Sequence, residues 1–235
     1  MKKILAVFLA RGGSKRIKNK NLINFFSKPI IYYGLNEAKK SKIFTKIHVS
    51  TESIRIKRSI EKLGFKIDFL RPKKLSGDKV GSLEVIKFIV DEYKKKGIKF
   101  DIVFNIMPAS PLIKSFDFHK ALKIFKKFKM KYPLQVFSKF PVPLEWAFSI
   151  DKKGIAKPIH ESNIKKMSQS FKEHYYETGP FTIFPMKTFL EKKSYSFLKK
   201  GFSVYYLPTH RSVDIDNLED LKMAKVLFKG NGFKK

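Results

Sequence analysis

From Ala10 the chain reads Ala10-Arg11-Gly12-Gly13-Ser14-Lys15-Arg16, directly after the apolar run Ile4 to Leu9. Glycines let the backbone approach a ligand closely and turn several N–H groups toward one point. Arg11, Lys15, Arg16, Lys18 and Lys20 add positive charge beside those groups. A multiply charged anion such as a nucleoside triphosphate suits that combination. A basic, solvated turn after a strand fits the same residues. The spacing is neither Gly-x-x-x-x-Gly-Lys-Ser/Thr nor Gly-x-Gly-x-x-Gly, which excludes the P-loop and the dinucleotide fingerprint.

Those residues need a scaffold, and the first part of the chain alternates strands and helices. Ile4–Leu9 reads as a strand. Pro29 opens a helix with Ile30, Ile31, Leu35 and Ala38 as its apolar stripe. Ile47–Thr51 is a strand, and Ser53 caps a helix bearing Ile56, Ile60 and Leu63 that Gly64 stops. Lys66–Leu70 reads as a third strand. Ser82 caps a helix carrying Val85, Ile86, Ile89, Val90 and Tyr93, ended by Gly97. Asp101–Met107 is a strand, Ser115 caps a helix with Leu122, Phe125 and Phe128, and Pro133–Ser138 is a fifth strand. This order implies an α/β fold with a mainly parallel sheet and helices on both faces. Ligands of such sheets bind at the carboxyl ends of strands, where the loops at Arg11, Arg71 and Pro108 can converge. Residues 141–180 lose periodicity and read as an insertion that covers the site or joins a partner chain. Beyond it lie the strand Phe181–Phe184, a helix near Met186–Lys192, the strand Ser203–Leu207 and a helix from Asn217 to Phe228. With no repeat or low-complexity linker, residues 1–235 read as one domain.

Of the 235 residues, 43% are hydrophobic, enough for a packed core. Cysteine is absent, which excludes disulfides and thiolate metal sites. The start Met1-Lys2-Lys3 resembles a signal peptide only superficially, because the apolar run stops at Arg11. With no stretch long enough to span a bilayer, the expectation is a cytoplasmic protein without a membrane partner. The net charge of +31 points toward anionic partners. Yet the lysines are dispersed, and the dense runs Lys94-Lys95-Lys96 and Lys126–Lys131 fall at helix ends, where cations suit the dipole. An RNA-binding α/β protein is the reading from a different class. It lacks an aromatic-plus-basic recognition motif, so nucleic acid is not expected as the partner.

The glycine turn, with Lys20-Asn21 after it, resembles the acylneuraminate cytidylyltransferase family of CMP-sugar synthetases. Val49-Ser50-Thr51, Leu70-Arg71-Pro72, Pro108-x-Ser110-Pro111 and Val213-Asp214-Ile215-Asp216 match in order over essentially the whole chain. Ser168-Gln169-Ser170-Phe171 with Glu173-His174-Tyr175-Tyr176 looks like the corresponding region of pseudaminic acid cytidylyltransferases. The resemblance implies a three-layer Rossmann-like nucleotidyltransferase sheet, a homodimer joined through the insertion, and two substrates, CTP and a nonulosonic acid. The implied reaction is attack of the sugar's anomeric hydroxyl on the α-phosphorus of CTP, with pyrophosphate leaving. Cytidylyl transfer to 3-deoxy-manno-octulosonate is the alternative acceptor.

On this resemblance Arg11, Ser14 and Lys20 hold the triphosphate in the turn of Gly12 and Gly13, with Lys15 and Arg16 adding charge nearby, Arg by bidentate contact and Lys as a point charge. Arg11 and Lys20 count with Asp214 and Asp216 as the catalytic candidates. Asn21 and Arg71 match nucleotide-reading positions, and Ser82 matches one near the base, although it also suits a helix cap. Ser110, Gln169 and Tyr176 are candidate substrate contacts, and the aromatic run around Tyr176 equally suits packing. Asp214 and Asp216 lie two apart on an extended segment, so their side chains share a side. Paired carboxylates form a hard-oxygen site for Mg²⁺. Asp216 equally suits the cap of the last helix, with Glu219 completing a box. Met107 stands where the sialic-acid members carry Gln, Ala109 replaces Thr, and Glu177-Thr178-Gly179-Pro180 replaces Asp-Ala-Gly-Gln. These departures concern the sugar rather than the nucleotide.

Overall fold

The computed structural model describes residues 2–190 and 200–233. In chain order its strands are β1 (Ile4–Leu9), β2 (Asn24–Phe25), β3 (Lys28–Pro29), β4 (Lys46–Ser50), β5 (Ile102–Ile106), β6 (Leu134–Lys139), β7 (Phe148–Ile150), β8 (Ala156–Pro158), β9 (Tyr175–Pro185) and β10 (Ser203–Tyr206). The α-helices are α1 (Ile30–Ser41), α2 (Ile54–Lys62), α3 (Ser82–Lys95), α4 (Ser115–Lys127), α5 (Lys187–Leu190) and α6 (Leu218–Gly230). The main sheet has the order β10-β6-β9-β5-β1-β4. β1 pairs in parallel with β4 and β5, and β10 in parallel with β6. β9 alone runs antiparallel, against both β5 and β6.

The unbroken apolar run of β1 is what a strand covered on both faces requires. Ile4, Ala6 and Phe8 face one core with Ile31, Leu35, Phe104 and Phe118, while Leu5 and Val7 face the other with Ile86, Ile89, Tyr93 and Val103. The expected three-layer α/β architecture follows. A third cluster packs α6 through Phe228 against Phe25, Ile30 and Tyr33, holding the chain after the glycine turn to the end of the fold. Among the described residues no helix is long and apolar enough to cross a membrane.

Several local expectations change. Lys66–Leu70 forms no strand. Its Asp68 instead accepts from Tyr93 Oη at 2.7 Å and pairs with Lys46 Nζ at 2.5 Å, so side chains rather than a ladder fasten it beside the edge strand β4. Ser82 and Ser115 are the first residues of their helices rather than caps, and Gly81 and Lys114 occupy the cap positions. Pro29 sits at the cap of α1, one residue before the expected place, because it pairs with Asn24 in the β2–β3 ribbon. Ser53 does cap α2, its Oγ accepting from Ile56 N at 3.3 Å. The irregular insertion contains the small β7–β8 hairpin, but it ends earlier than expected, since Tyr175–Pro180 belong to the long strand β9. Of the helix near Met186–Lys192, the part past Leu190 lies outside the described residues.

Candidate active site

β1 ends at the carboxyl edge of the sheet, where Ala10 N still donates to Ser50 O at 2.9 Å. The chain then turns through residues 11–16. Asn21, 7% exposed, braces this turn from below, its Nδ2 donating to Arg11 O at 3.0 Å. That contact occupies the donor end of Asn21 and leaves its Oδ1 for another group. Gly12 N donates to Glu52 Oε1 at 2.7 Å, and a Cβ at Gly12 would stand 3.2 Å from that oxygen and 3.3 Å from Ser53 Cβ. A side chain at position 12 would therefore press on a neighbouring carboxylate, which would have to shift by a few tenths of an ångström. A Cβ at Gly13 would meet nothing within 4 Å.

A cavity of about 230 Å³ opens beside the turn, lined by Arg11, Ser14, Lys15, Lys20, Asn21 and Asp216 among others. The loop after β5 closes it with Met107, Pro108 and Ala109. Its cations are held by carboxylates at the rim. Asp78 takes Arg11 Nη1 at 2.7 Å and Lys15 Nζ at 2.6 Å, and those contacts hold its carboxyl below the usual range, Lys15 contributing most. Asp216 takes Arg16 Nη1 at 2.8 Å and Lys20 Nζ at 3.1 Å. Burial works against ionisation of Asp216, but Lys20 and Arg16 outweigh it, and its pKa is lowered.

Asp214 lies on the other side of the same segment boundary, in a wide cleft of about 960 Å³ shared with Tyr176, Glu177, Thr178, His210 and Ser212. Burial and then the charge of Asp216 push the Asp214 pKa up. Burial and then Asp214 do the same to Glu177. Tyr176 Oη and Ser212 Oγ share a hydrogen bond of 3.1 Å at the cleft wall. Two chambers of opposite sign therefore meet at Asp214-Ile215-Asp216, the cationic one reached by Asp216 and the acidic one by Asp214.

The cap of α6 explains why Asp216 is available. Asn217, not Asp216, is the cap, its Oδ1 accepting from Glu219 N at 2.8 Å and Asp220 N at 3.0 Å. Asp220, rather than Glu219, completes the box by accepting from Asn217 N at 2.8 Å. Shifting the cap by one residue leaves the Asp216 carboxylate to the cations.

Arg71 is 6% exposed and joins the site indirectly, through Nη2 on Glu52 Oε2 at 2.9 Å; its Nε is buried without a partner. Ser110 is buried in the turn after β5, next to the lining residue Ala109. Ser82 is exposed on the first turn of α3, outside the cavity lining. Gln169 lines a separate cavity of about 490 Å³ in the insertion, and its Nε2 lies 3.4 Å from Met167 Sδ. Glu52 and Asp78 carry no expectation from the sequence, and Glu177 figures there only as a departure on the sugar side. A carboxylate directly after a strand that neighbours β1, as Glu52 is, was the one available signal.

Among the described residues no three His, Cys, Asp or Glu side chains gather into a metal cage. Asp214 and Asp216 line different cavities instead of sharing one as expected, and Asp216 already pairs with Arg16 and Lys20. As hard oxygen donors the two carboxylates still suit a cation such as Mg²⁺ that takes its other ligands from water and phosphate.

A mainly parallel sheet that carries a glycine turn, a cationic chamber and two carboxylates two residues apart at its carboxyl end has the layout of a nucleotidyltransferase. The chain belongs to the cytidylyltransferase family, whose sequence pattern, described as Cytidylyltransferase, matches residues 5–231. It is 31% identical to the pseudaminic acid cytidylyltransferase of Campylobacter jejuni subsp. jejuni serotype O:2, over 97% of each chain. It is 26% identical to the N-acylneuraminate cytidylyltransferase of Escherichia coli O18:K1:H7, over 94% of this chain and 51% of that one. Among solved structures, a CMP:2-keto-3-deoxy-manno-octonic acid synthetase in complex with CTP superposes with a TM-score of 0.71 at 14% identity, covering 97% of this chain and 99% of that one. At that identity the likeness concerns the fold alone.

Proposed function

We propose that the protein transfers CMP from CTP to the anomeric hydroxyl of a nonulosonic acid, pseudaminate or an N-acylneuraminate-like sugar, and releases pyrophosphate. The observation that carries this reading is the meeting of a cationic and an acidic chamber at Asp214-Ile215-Asp216. The triphosphate takes the cationic side. There Arg11, Lys15 and Lys20 are held by carboxylates, and phosphate oxygens exchange with Asp78 on the first two. Fixed cations aimed at the charge that develops on pyrophosphate lower the barrier without reorganisation. Arg71 and Asn21 orient the nucleoside, and Tyr176 and His210 line the acceptor cleft. Asp214 and Asp216 would hold Mg²⁺, which would supply charge neutralisation at phosphate oxygens and a more acidic acceptor hydroxyl. The reaction proposed is a cytoplasmic one, in keeping with a soluble CTP co-substrate.

The insertion supports a homodimer. Val142, Phe148, Ile150, Ile159 and Met167 expose between 51% and 72% of their surface, large apolar side chains interspersed with charged ones along the insertion.

The test is pyrophosphate release from CTP over a panel of acid sugars, including 3-deoxy-manno-octulosonate. Turnover is expected with a nonulosonate and falls on the order of 10²–10³-fold in Asp214→Ala, the range for losing one charge-stabilising group. Full activity in that variant removes the metal assignment, and no turnover with any acid sugar removes the proposed reaction.

A further inference from the structure

Glu52 lies between β4 and α2 and touches three parts of the site at once. Its Oε1 accepts from Gly12 N at 2.7 Å, while its Oε2 accepts from Arg71 Nη2 at 2.9 Å and from Ser76 Oγ at 3.1 Å. Its side chain is 17% exposed and that of Arg71 is 4% exposed, so the pair works in a shielded setting. A negative group against the first N–H of an anion-binding turn opposes the ligand's charge unless it is neutralised from behind. Arg71 provides that neutralisation. Although burial favours the acid form, the Arg71 and Gly12 donors win, and the Glu52 pKa is lowered. Asp78 differs in kind. It binds the exposed ends of Arg11 and Lys15, contacts that phosphate oxygens can replace. Glu52 touches none of the cations around the cavity; its partners are a backbone N–H, a buried guanidinium and a serine of the segment after Pro72.

We propose that Glu52 is a positioning residue of the nucleotide site: one carboxylate fixes the distance between the glycine turn at 11–16 and the segment 71–76, so that both meet a single CTP. The inference rests on the reading of that turn as the triphosphate site. The cradle at Gly12 is its steric signature, because any side chain there would push against Glu52 Oε1. Glu52→Gln keeps the length and one accepting oxygen but presents an NH₂ group to Arg71 Nη2, donor against donor.

The experiment measures CTP binding by calorimetry without acceptor, KM for CTP and for the acid sugar separately, and the urea midpoint. In Glu52→Gln, CTP Kd and KM are expected to rise about 10–100-fold, the range for losing a charge-assisted contact. The acceptor KM is expected to stay within about twofold, as for a group remote from the acceptor cleft. Glu52→Asp is expected to recover part of the loss. Gly12→Ala strains the same contact from the other side and should reproduce the selective loss, which covers the case in which Glu52→Gln fails to fold. Unchanged CTP affinity in both Glu52→Gln and Gly12→Ala overturns the proposal while leaving the function intact. Both KM values rising together with a lowered midpoint also overturns it. A wild-type protein that does not bind CTP overturns this inference and the proposed function together.

Discussion

Breaking the buried pair of Asp117 and Arg211 should cost the protein a large share of its stability. Asp117 is fully buried on α4 and Arg211 is 8% exposed, three residues before Asp214. Asp117 Oδ1 accepts from Tyr205 Oη at 2.6 Å and from Arg211 Nη1 at 3.2 Å, and Oδ2 accepts from Lys114 N at 2.7 Å and from Arg211 Nη2. Arg211 also reaches Leu112 O, from Nε at 3.3 Å and Nη2 at 3.1 Å. In Asp117→Ala the guanidinium stays buried without a carboxylate, keeping only that carbonyl and the faces of Phe116 and Phe233. Uncompensated charges of this kind cost about 3–5 kcal/mol, against a total of about 5–15 kcal/mol for a folded protein. Urea unfolding followed by far-UV circular dichroism reads the loss. A cycle with Arg211→Met and the double variant reads the coupling, expected to exceed about 1 kcal/mol. A loss below about 1 kcal/mol in Asp117→Ala, or simple additivity, refutes the reasoning.

His48 is expected to make the protein acid-sensitive. Burial, with Lys46 and Lys96 adding to it and Asp68 opposing it, lowers its pKa from 6.5 to about 4. Between those values the unfolded chain binds a proton that the folded one refuses, so stability falls as pH drops from 6.5 toward 4. That shift corresponds to about 3 kcal/mol; unfolding curves of His48→Gln should lack that part of the slope, and parallel curves for the two proteins would contradict the argument. The exposed apolar insertion predicts that Ile150→Asp with Met167→Asp gives monomers in sedimentation equilibrium, with the wild type dimeric. A monomeric wild type, or an unaffected dimer, counts against that interface.

Much of the nucleotide end is legible in the sequence because its signals are local. The apolar run of β1 announces a buried strand, and the glycines and cations follow without interruption. The acidic pair is equally visible, since two carboxylates two residues apart need only an extended backbone. What sequence reading missed depends on pairing between distant segments. Glu52 gains its meaning only once β4 lies beside β1, and Asp78 only once its segment meets the turn. Lys66–Leu70 has strand-like composition, but alternation does not say whether a sheet edge will accept it. The cap of α6 was misplaced by one residue because Asp216 and Asn217 are both good caps, and the geometry of Asp220 decides between them.

The antiparallel run of β9 has an evolutionary consequence. β6 leaves the sheet at Lys139 and β9 enters it at Tyr175, and these two residues are paired neighbours. Everything between them hangs from adjacent strand ends at the same edge of the sheet as the glycine turn, with no crossover to rebuild. A loop anchored in that way can lengthen or shorten at small entropic cost. Residues 140–174 can thus change in length without disturbing β1, β4 and the glycine turn at 11–16, so the cavity they line varies independently of that turn.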